Sequence, residues 1–162
     1  MFRKMRRYKQ ELSAEDCINM LINEPRGVLA LLGDDDYPYA LPMSHAYADG
    51  KIYFHGAKEG HKNDAVKKYS KASYCVVDKG IKNEGEWWYT FKSVIVFGEI
   101  RILEDNDEKI EKLRHLGNKF FPTPEDTENE IKRLLDKTEV YELTVEHISG
   151  KTYHQPYLIK YL

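Results

Sequence analysis

The sequence predicts a mainly β domain with peripheral α-helices, arranged as a six-stranded antiparallel barrel with the helices packed outside it. Short apolar or alternating runs are joined by turn signals such as Asp49-Gly50, which favour hairpins. Neither strand–helix–strand alternation nor a heptad pattern occurs. With 32% charged and 41% apolar residues, each element has enough polar positions for one wet face, unlike the strands of a buried parallel sheet. The 162 residues read as one domain, 1–162, large enough to bury roughly 70% of its unfolded surface.

Ser13 caps a first helix over about 13–24, Glu15 and Asp16 suit its positive end, and Ile18, Leu21 and Ile22 share its apolar face. Pro25 and Gly27 stop it. The apolar run from Gly27 to Gly33 reads as a buried strand, and Tyr37 to Tyr47 as the next. Pro42 inside that second run marks an edge strand or an interruption of pairing. Asp49-Gly50 turns the chain into a returning strand from Lys51 to Gly56. From Gly60 the period becomes helical, with Ala65, Val66 and Tyr69 on one face. Ala72 to Asp78 is another strand, and Lys79 to Glu86 a polar connection. Trp87 to Leu103 holds one long strand or two, with a bulge or bend at Gly98. A helical insertion over about 107–137 follows. Its first helix, Asp107 to Phe121, turns Ile110, Leu113, Gly117 and Phe120 inward and stops at Pro122. Its second, Pro124 to Lys137, turns Ile131, Leu134 and Leu135 inward. Val140 to Ile148 alternates Tyr141, Leu143 and Val145 with Glu142, Thr144 and Glu146, a half-buried strand.

Lys+Arg 25 against Asp+Glu 27 leaves a net charge of -2, with no global reason to seek nucleic acid. The basic start from Met1 to Lys9 lacks a following apolar segment and reads as a solvated arm, not a secretory signal. No run approaches the ~18 apolar residues of a membrane span. Cys17 and Cys75 fall in helix and strand patterns and read as reduced packing thiols, which suits a cytoplasmic location. Of the 12 tyrosines, Tyr37, Tyr39, Tyr47, Tyr53 and Tyr89 lie on or beside strands, where an apolar ring with a polar tip suits half-buried positions.

Three segments can carry chemistry. In Phe54-His55-Gly56-Ala57-Lys58-Glu59-Gly60-His61-Lys62 a strand ends, two glycines permit close backbone approach, and a helix opens with basic side chains. Free N–H groups and the positive helix end favour a phosphate there. An ordinary strand-to-helix turn with a solvated lysine fits the same residues. In Tyr39 to His45, a strand interrupted by Pro42 leaves backbone groups free for a heteroaromatic edge; core packing at a barrel corner is the alternative. In Trp87 to Ser93, adjacent aromatics cannot all face inward, so at least one meets a ligand, a partner or solvent. His45, His55 and His61 match no zinc spacing, so no metal is assigned. The fingerprints of dinucleotide-fold dehydrogenases, P-loop NTPases, serine hydrolases and zinc proteases are all missing.

Taken in order, Tyr37 to Ser44, Asp49 to Lys62 and Ser93 to Gly98 resemble the pyridoxamine 5'-phosphate oxidase-like FMN-binding split barrels. Within them the chain is most similar to the Nim-type 5-nitroimidazole resistance proteins, as are Met5-Arg6-Arg7 and Ile148-Ser149-Gly150-Lys151. The resemblance implies a split β-barrel that binds FMN as a homodimer, with the flavin at the subunit interface. It places Gly60, His61 and Lys62 at the FMN phosphate and His55, Gly56 and Ala57 beside the ribityl chain and ring. Pro42, Met43 and Ser44 would face the isoalloxazine, and Lys92 and Ser93 would approach it from a later strand. His61 stands where true pyridoxamine phosphate oxidases carry an Arg, and the tail Tyr153 to Leu158 lacks their basic C-terminal motif. Oxidation of the vitamin is therefore not expected. The implied activity is reduction of a small electron-poor substrate, such as a nitroimidazole or quinone, with His55 as a candidate proton donor. A non-catalytic flavin-binding or sensing protein, or a split barrel using haem or a deazaflavin, is the alternative.

Overall fold

A computed structural model describes residues 2–153; of the predicted tail, only Tyr153 falls among them. Seven strands run β1 (Arg26–Leu32), β2 (Pro38–Ser44), β3 (Ala46–Ala48), β4 (Lys51–Ala57), β5 (Lys71–Val77), β6 (Phe91–Ile102) and β7 (Thr138–Tyr153). The helices are α1 (Ala14–Asn23), α2 (His61–Lys68), α3 (Asn106–Phe120) and α4 (Pro124–Leu134). The strands form one antiparallel sheet in the order β2-β1-β5-β6-β7-β4-β3.

The count is seven rather than six because the predicted strand from Tyr37 to Tyr47 breaks, and it breaks at His45, not at Pro42. Pro42 sits unbroken in β2 opposite Val28. As an edge strand, β2 can turn a missing N–H away from the ladder. At His45 the chain leaves one edge of the sheet, β2, and joins the other, β3, which curls the sheet into a split barrel. His45 is fully buried there: Nε2 lies 2.8 Å from the Leu21 carbonyl oxygen and Nδ1 2.9 Å from the Tyr74 hydroxyl. The Tyr74 hydroxyl also reaches the Met43 carbonyl at 2.9 Å. These contacts tie α1, β2, β5 and the crossover together.

Leu29, Leu31, Ile52, Phe54, Val76, Val94, Val96 and Leu143 fill the interior of the curl. A second apolar layer, Leu103, Leu113, Ile131 and Val140, packs α3 and α4 on the outer side near β7. Val140 to Leu143 are therefore all buried, and the predicted alternation fails at Glu142, which is 2% exposed. Glu142 lies 3.0 Å from Lys51 Nζ and 2.9 Å from Arg101 Nε. Burial pushes its carboxyl pKa up, but the bonds to Arg101 and Lys51 outweigh this and hold it below the ordinary value.

The predicted bulge at Gly98 is present: the β6–β7 register shifts between Phe97 and Gly98, and a Cβ on Gly98 would overlap the Thr144 carbonyl. Trp87 to Thr90 lie before β6, in the connection from β5. Contrary to expectation, Ile22, Tyr69 and Phe120 are exposed, as are Tyr37 and Tyr89, whereas Tyr53 is buried. Helix α4 ends at Leu134 and gives way to a 3-10 turn, Leu135–Lys137. Cys17 and Cys75 are free thiols.

One outer side of the sheet carries no helix, and there Phe2 stacks on Phe97 and His147. Pro42, Val28, Cys75, Ile95 and Ser149 form a row across five strands. Val28, Val77, Ile95 and Phe97 on this side are 43%, 49%, 40% and 40% exposed.

Burial lowers the His45 pKa from its ordinary 6.5 to about 4, with the charge of Lys119 adding to the effect. Between those pH values the unfolded chain holds a proton that the folded chain does not, so stability is complete above about pH 6.5 and falls as the pH drops toward 4. At ~1.4 kcal/mol per pKa unit, His45 contributes about 3 kcal/mol of this acid sensitivity. Thermal unfolding across pH 7 to 4 should show a steep loss in the native chain and a flatter profile, from a lower starting point, in His45→Gln.

Candidate functional site

Gly56 and Lys62 of one candidate segment and Met43 of another meet at one end of the barrel. A Cβ on Gly56 would overlap Lys62 Nζ, so the missing side chain makes the space that the lysine fills. The ammonium lies 4.7 Å from the centroid of the Tyr141 ring and 3.9 Å from Met43 Sδ. Burial pushes its pKa down, and no carboxylate among the described residues pairs with it. An uncompensated, half-buried ammonium gains most by meeting an anion.

The start of α2 points the same way. Gly60 takes φ +112° and ψ 171°, a region essentially closed to residues with a Cβ. This turn lets the chain leave β4 and enter the helix within a few residues. The N–H groups of His61 and Lys62, the first two of the helix, precede the intrahelical ladder and are free donors of the positive end. Asn63, 1% exposed, locks the turn: its Nδ2 donates to the carbonyls of Lys58 and Ala57, and its Oδ1 accepts from the Tyr141 hydroxyl at 2.5 Å. Asn63 and Tyr141 were missed in the sequence. An Asn in the first turn of a helix is a recognisable local hydrogen-bonding signal. Nothing local announces a tyrosine on a strand 78 residues away.

The His61 imidazole turns aside. It stacks on Tyr39 with centroids 4.1 Å apart, and its Nε2 accepts from the Asp34 N–H at 3.3 Å. What His61 offers at the helix start is thus its backbone N–H.

His55 and Ser44 lie on the outward side of their strands, away from Lys62. Together they border a cavity of 330 Å³ whose other walls come from α3, α4 and the turn that follows. Burial, and then the charge of Lys62, lower the His55 pKa below 6.5, so the ring is neutral at pH 7. Pro42 lies on the uncovered side of the sheet, and Ala57 closes β4 opposite Thr138, its carbonyl receiving Asn63 and Tyr141.

Lys92 and Ser93 do not join this cluster within one chain. Ser93 pairs with Lys151 near the end of β7, whereas His55 pairs with Val140. Those partners are separated by on the order of 35 Å of strand. Ser93 faces the same side of β6 as Ile95 and Phe97 but is itself buried, at 7% exposure, whereas Lys92 is exposed. Among the described residues, no group of three His, Cys, Asp or Glu could hold a metal, and no helix is long and apolar enough to cross a membrane.

A split barrel with a glycine-turned, lysine-bearing helix start defines the class of the molecule. Residues 13–152 match the family described as pyridoxamine 5'-phosphate oxidase, and the chain belongs to that family. No curated protein sequence matches it significantly. Solved structures share the fold at low identity. A candidate 5-nitroimidazole antibiotic resistance protein of Bacteroides thetaiotaomicron is 15% identical, with 88% of this chain and 86% of that one covered and a TM-score of 0.72. An FAD-binding protein of Mesorhizobium loti is 22% identical over 90% and 98%, with a TM-score of 0.69. An FAD- and haem-binding protein of Mycobacterium smegmatis is 21% identical over 91% and 74%, with a TM-score of 0.73.

Replacing Gly60 by Ala should cost about 1–3 kcal/mol, because the turn must hold a side chain in a glycine-only conformation. A lower urea midpoint with an unchanged slope would show this; an unchanged midpoint would mean that the turn is not rigid.

Proposed function

We propose that the chain is an FMN-binding flavoprotein that acts as a homodimer and reduces a small electron-poor compound, such as a nitroimidazole or a quinone. The observation that carries this reading is the half-buried Lys62 ammonium beside Gly56 at the start of α2. A flavin phosphate is the kind of dianion that this lysine and the adjacent backbone N–H groups would hold. The structural likeness to a candidate nitroimidazole resistance protein and to flavin-binding proteins supports the choice of ligand and substrate class.

The uncovered row from Pro42 to Ile95 supports the dimer. An exposed apolar patch of this kind is more favourable against a second copy than against water. Ser93 is buried in its own chain, so of the two it is the exposed Lys92 beside it that a partner chain can bring toward a site that the first chain leaves incomplete. A bound flavin supplies the electron transfer; the protein supplies binding, orientation and shielding from water. His55, on the rim of the cavity between β4 and the helices, is placed to pass a proton to a substrate there. Being neutral at pH 7, it does so increasingly as the pH falls. The missing arginine at His61 speaks against oxidation of pyridoxamine phosphate.

Flavin binding is read from absorbance at about 450 nm retained through gel filtration at the mass of two chains. Lys62→Met should weaken FMN at least tenfold and leave riboflavin, which lacks the phosphate, unchanged. FAD belongs in the same titration, because two of the similar structures are FAD-binding proteins. Equal loss of FMN and riboflavin would remove the phosphate role from Lys62.

For turnover, NADPH consumption with a nitroimidazole should rise as the pH falls through an apparent pKa below 6.5, and His55→Asn should abolish that limb. A pH profile unchanged in the variant would exclude His55 as the proton donor. FMN binding without turnover from NADPH, NADH or dithionite would leave a carrier or sensor.

A further inference from the structure

The crossover at His45 is flanked by a second half-buried ammonium, that of Lys119 at the end of α3. Its Nζ donates to the Glu24 carbonyl, one residue past α1, at 2.6 Å. The Phe120 ring centroid lies 5.7 Å from it. No carboxylate among the described residues forms an ion pair with it, and the Glu24 carboxylate acts on it only from a longer distance. Burial is the stronger influence and pushes its pKa down. An ammonium carries three donors, and two of these have no acceptor among the described residues. A cation withdrawn from water in this way gains by meeting an anion.

Lys119 lines a pocket of 260 Å³ together with Ile22 of α1, Ala46 and Tyr47 of β3, and His115 and Asn118 of α3. The pocket lies directly outside the crossover. Ala46 follows His45, and Ile22 follows Leu21, whose carbonyl His45 bonds. No carboxylate is in the lining. His115 Nε2 lies 3.2 Å from the Tyr47 carbonyl oxygen and donates to it. The Asn118 amide bonds no other described residue, so its N–H groups are available beside Lys119. Ile22, apolar yet 48% exposed, forms the wall opposite these donors from another helix. One ammonium, with Glu24 in its field, balances a single negative charge better than the two of a phosphate monoester. The volume is just below the ~300–1,000 Å³ of drug-sized sites and suits a one-ring compound.

We propose that this pocket binds a small organic monocarboxylate with an apolar body, its carboxylate held by Lys119 and Asn118 and its apolar part against Ile22. The site shares no lining residue with the His55 cavity and none with the Gly56, Met43 and Lys62 centre. A ligand there bridges α1, β3 and α3, the elements packed around the crossover, and so stabilises the folded chain by mass action.

Calorimetric titration of the purified chain at pH 7 with benzoate, benzyl alcohol and acetate tests this. Benzoate should bind one per chain and raise the unfolding temperature. Benzyl alcohol keeps the ring without the charge, and acetate the charge without the ring; each should bind at least tenfold more weakly. Lys119→Met should weaken benzoate at least tenfold. That variant also loses the bond to the Glu24 carbonyl, so Ile22→Glu, at an exposed position, gives an independent check. A carboxylate on the apolar wall should repel benzoate and weaken it about tenfold. Lys62→Met and saturating FMN should both leave benzoate affinity unchanged. Equal affinity for benzyl alcohol, or benzoate binding untouched by Lys119→Met and Ile22→Glu, would overturn the assignment. So would no binding of benzoate at all. Loss of benzoate in Lys62→Met, or its displacement by FMN, would overturn it by placing the anion at the other centre. None of these readouts requires that FMN bind, so the flavin reading and this site stand or fall separately.

Discussion

The buried His45 node determines where everything else can stand. A strand that begins on one edge of the sheet ends on the other, and the change of partner happens at this single residue. Both ring nitrogens are engaged, one by the Leu21 carbonyl and one by the Tyr74 hydroxyl. A neutral imidazole suits this role because it can donate at one nitrogen and accept at the other without a charge to desolvate. The Tyr74 hydroxyl, in reach of the Met43 carbonyl as well, couples the crossover to the wall of the barrel. With the crossover held, β2 and β4 approach one another, and Met43 comes within 3.9 Å of Lys62.

The two sides of β4 then serve different purposes. Inward, Gly56 yields its space to Lys62, and Tyr141 both receives the ammonium over its ring and bonds Asn63. Outward, His55 meets the helical insertion across an apolar cavity. A strand alternates its side chains, so consecutive residues of one short segment can reach both an anion-seeking centre and an apolar pocket. The side of the sheet that no helix covers, with Val28, Ile95 and Phe97 exposed, is a third surface, apolar and open.

Much of this was legible along the chain. Ser13, Gly60, Pro124 and Gly98 signal their turns and caps by local chemistry; α1, α2 and α4 start within a residue of the expected place and the bulge falls at Gly98, while α4 ends three residues early and β6 starts four residues late. The segment from Phe54 to Lys62 could be marked as a candidate because glycines and a lysine at a strand-to-helix junction suit a phosphate, although an ordinary turn uses the same residues. The alternation through Glu142 misled because periodicity reports one sheet face and cannot see helices folding back over the other. The direction of the His61 ring could not be read locally, because it rests on Tyr39 and Asp34, groups brought near only by the barrel.

The sequence by itself determined the β-rich class, the helix starts, the family and the lysine-bearing start of α2. All of these follow from neighbours within a few residues, where backbone preference and capping act. Tertiary structure alone decided that the strand breaks at His45, that Glu142 is buried between Lys51 and Arg101, and that Asn63 answers to Tyr141. It alone decided that Thr127 is buried against Gly117 of α3, its hydroxyl without a partner among the described residues. Those outcomes depend on which surfaces meet after the sheet curls, and burial and pairing between distant residues have no signature in local order.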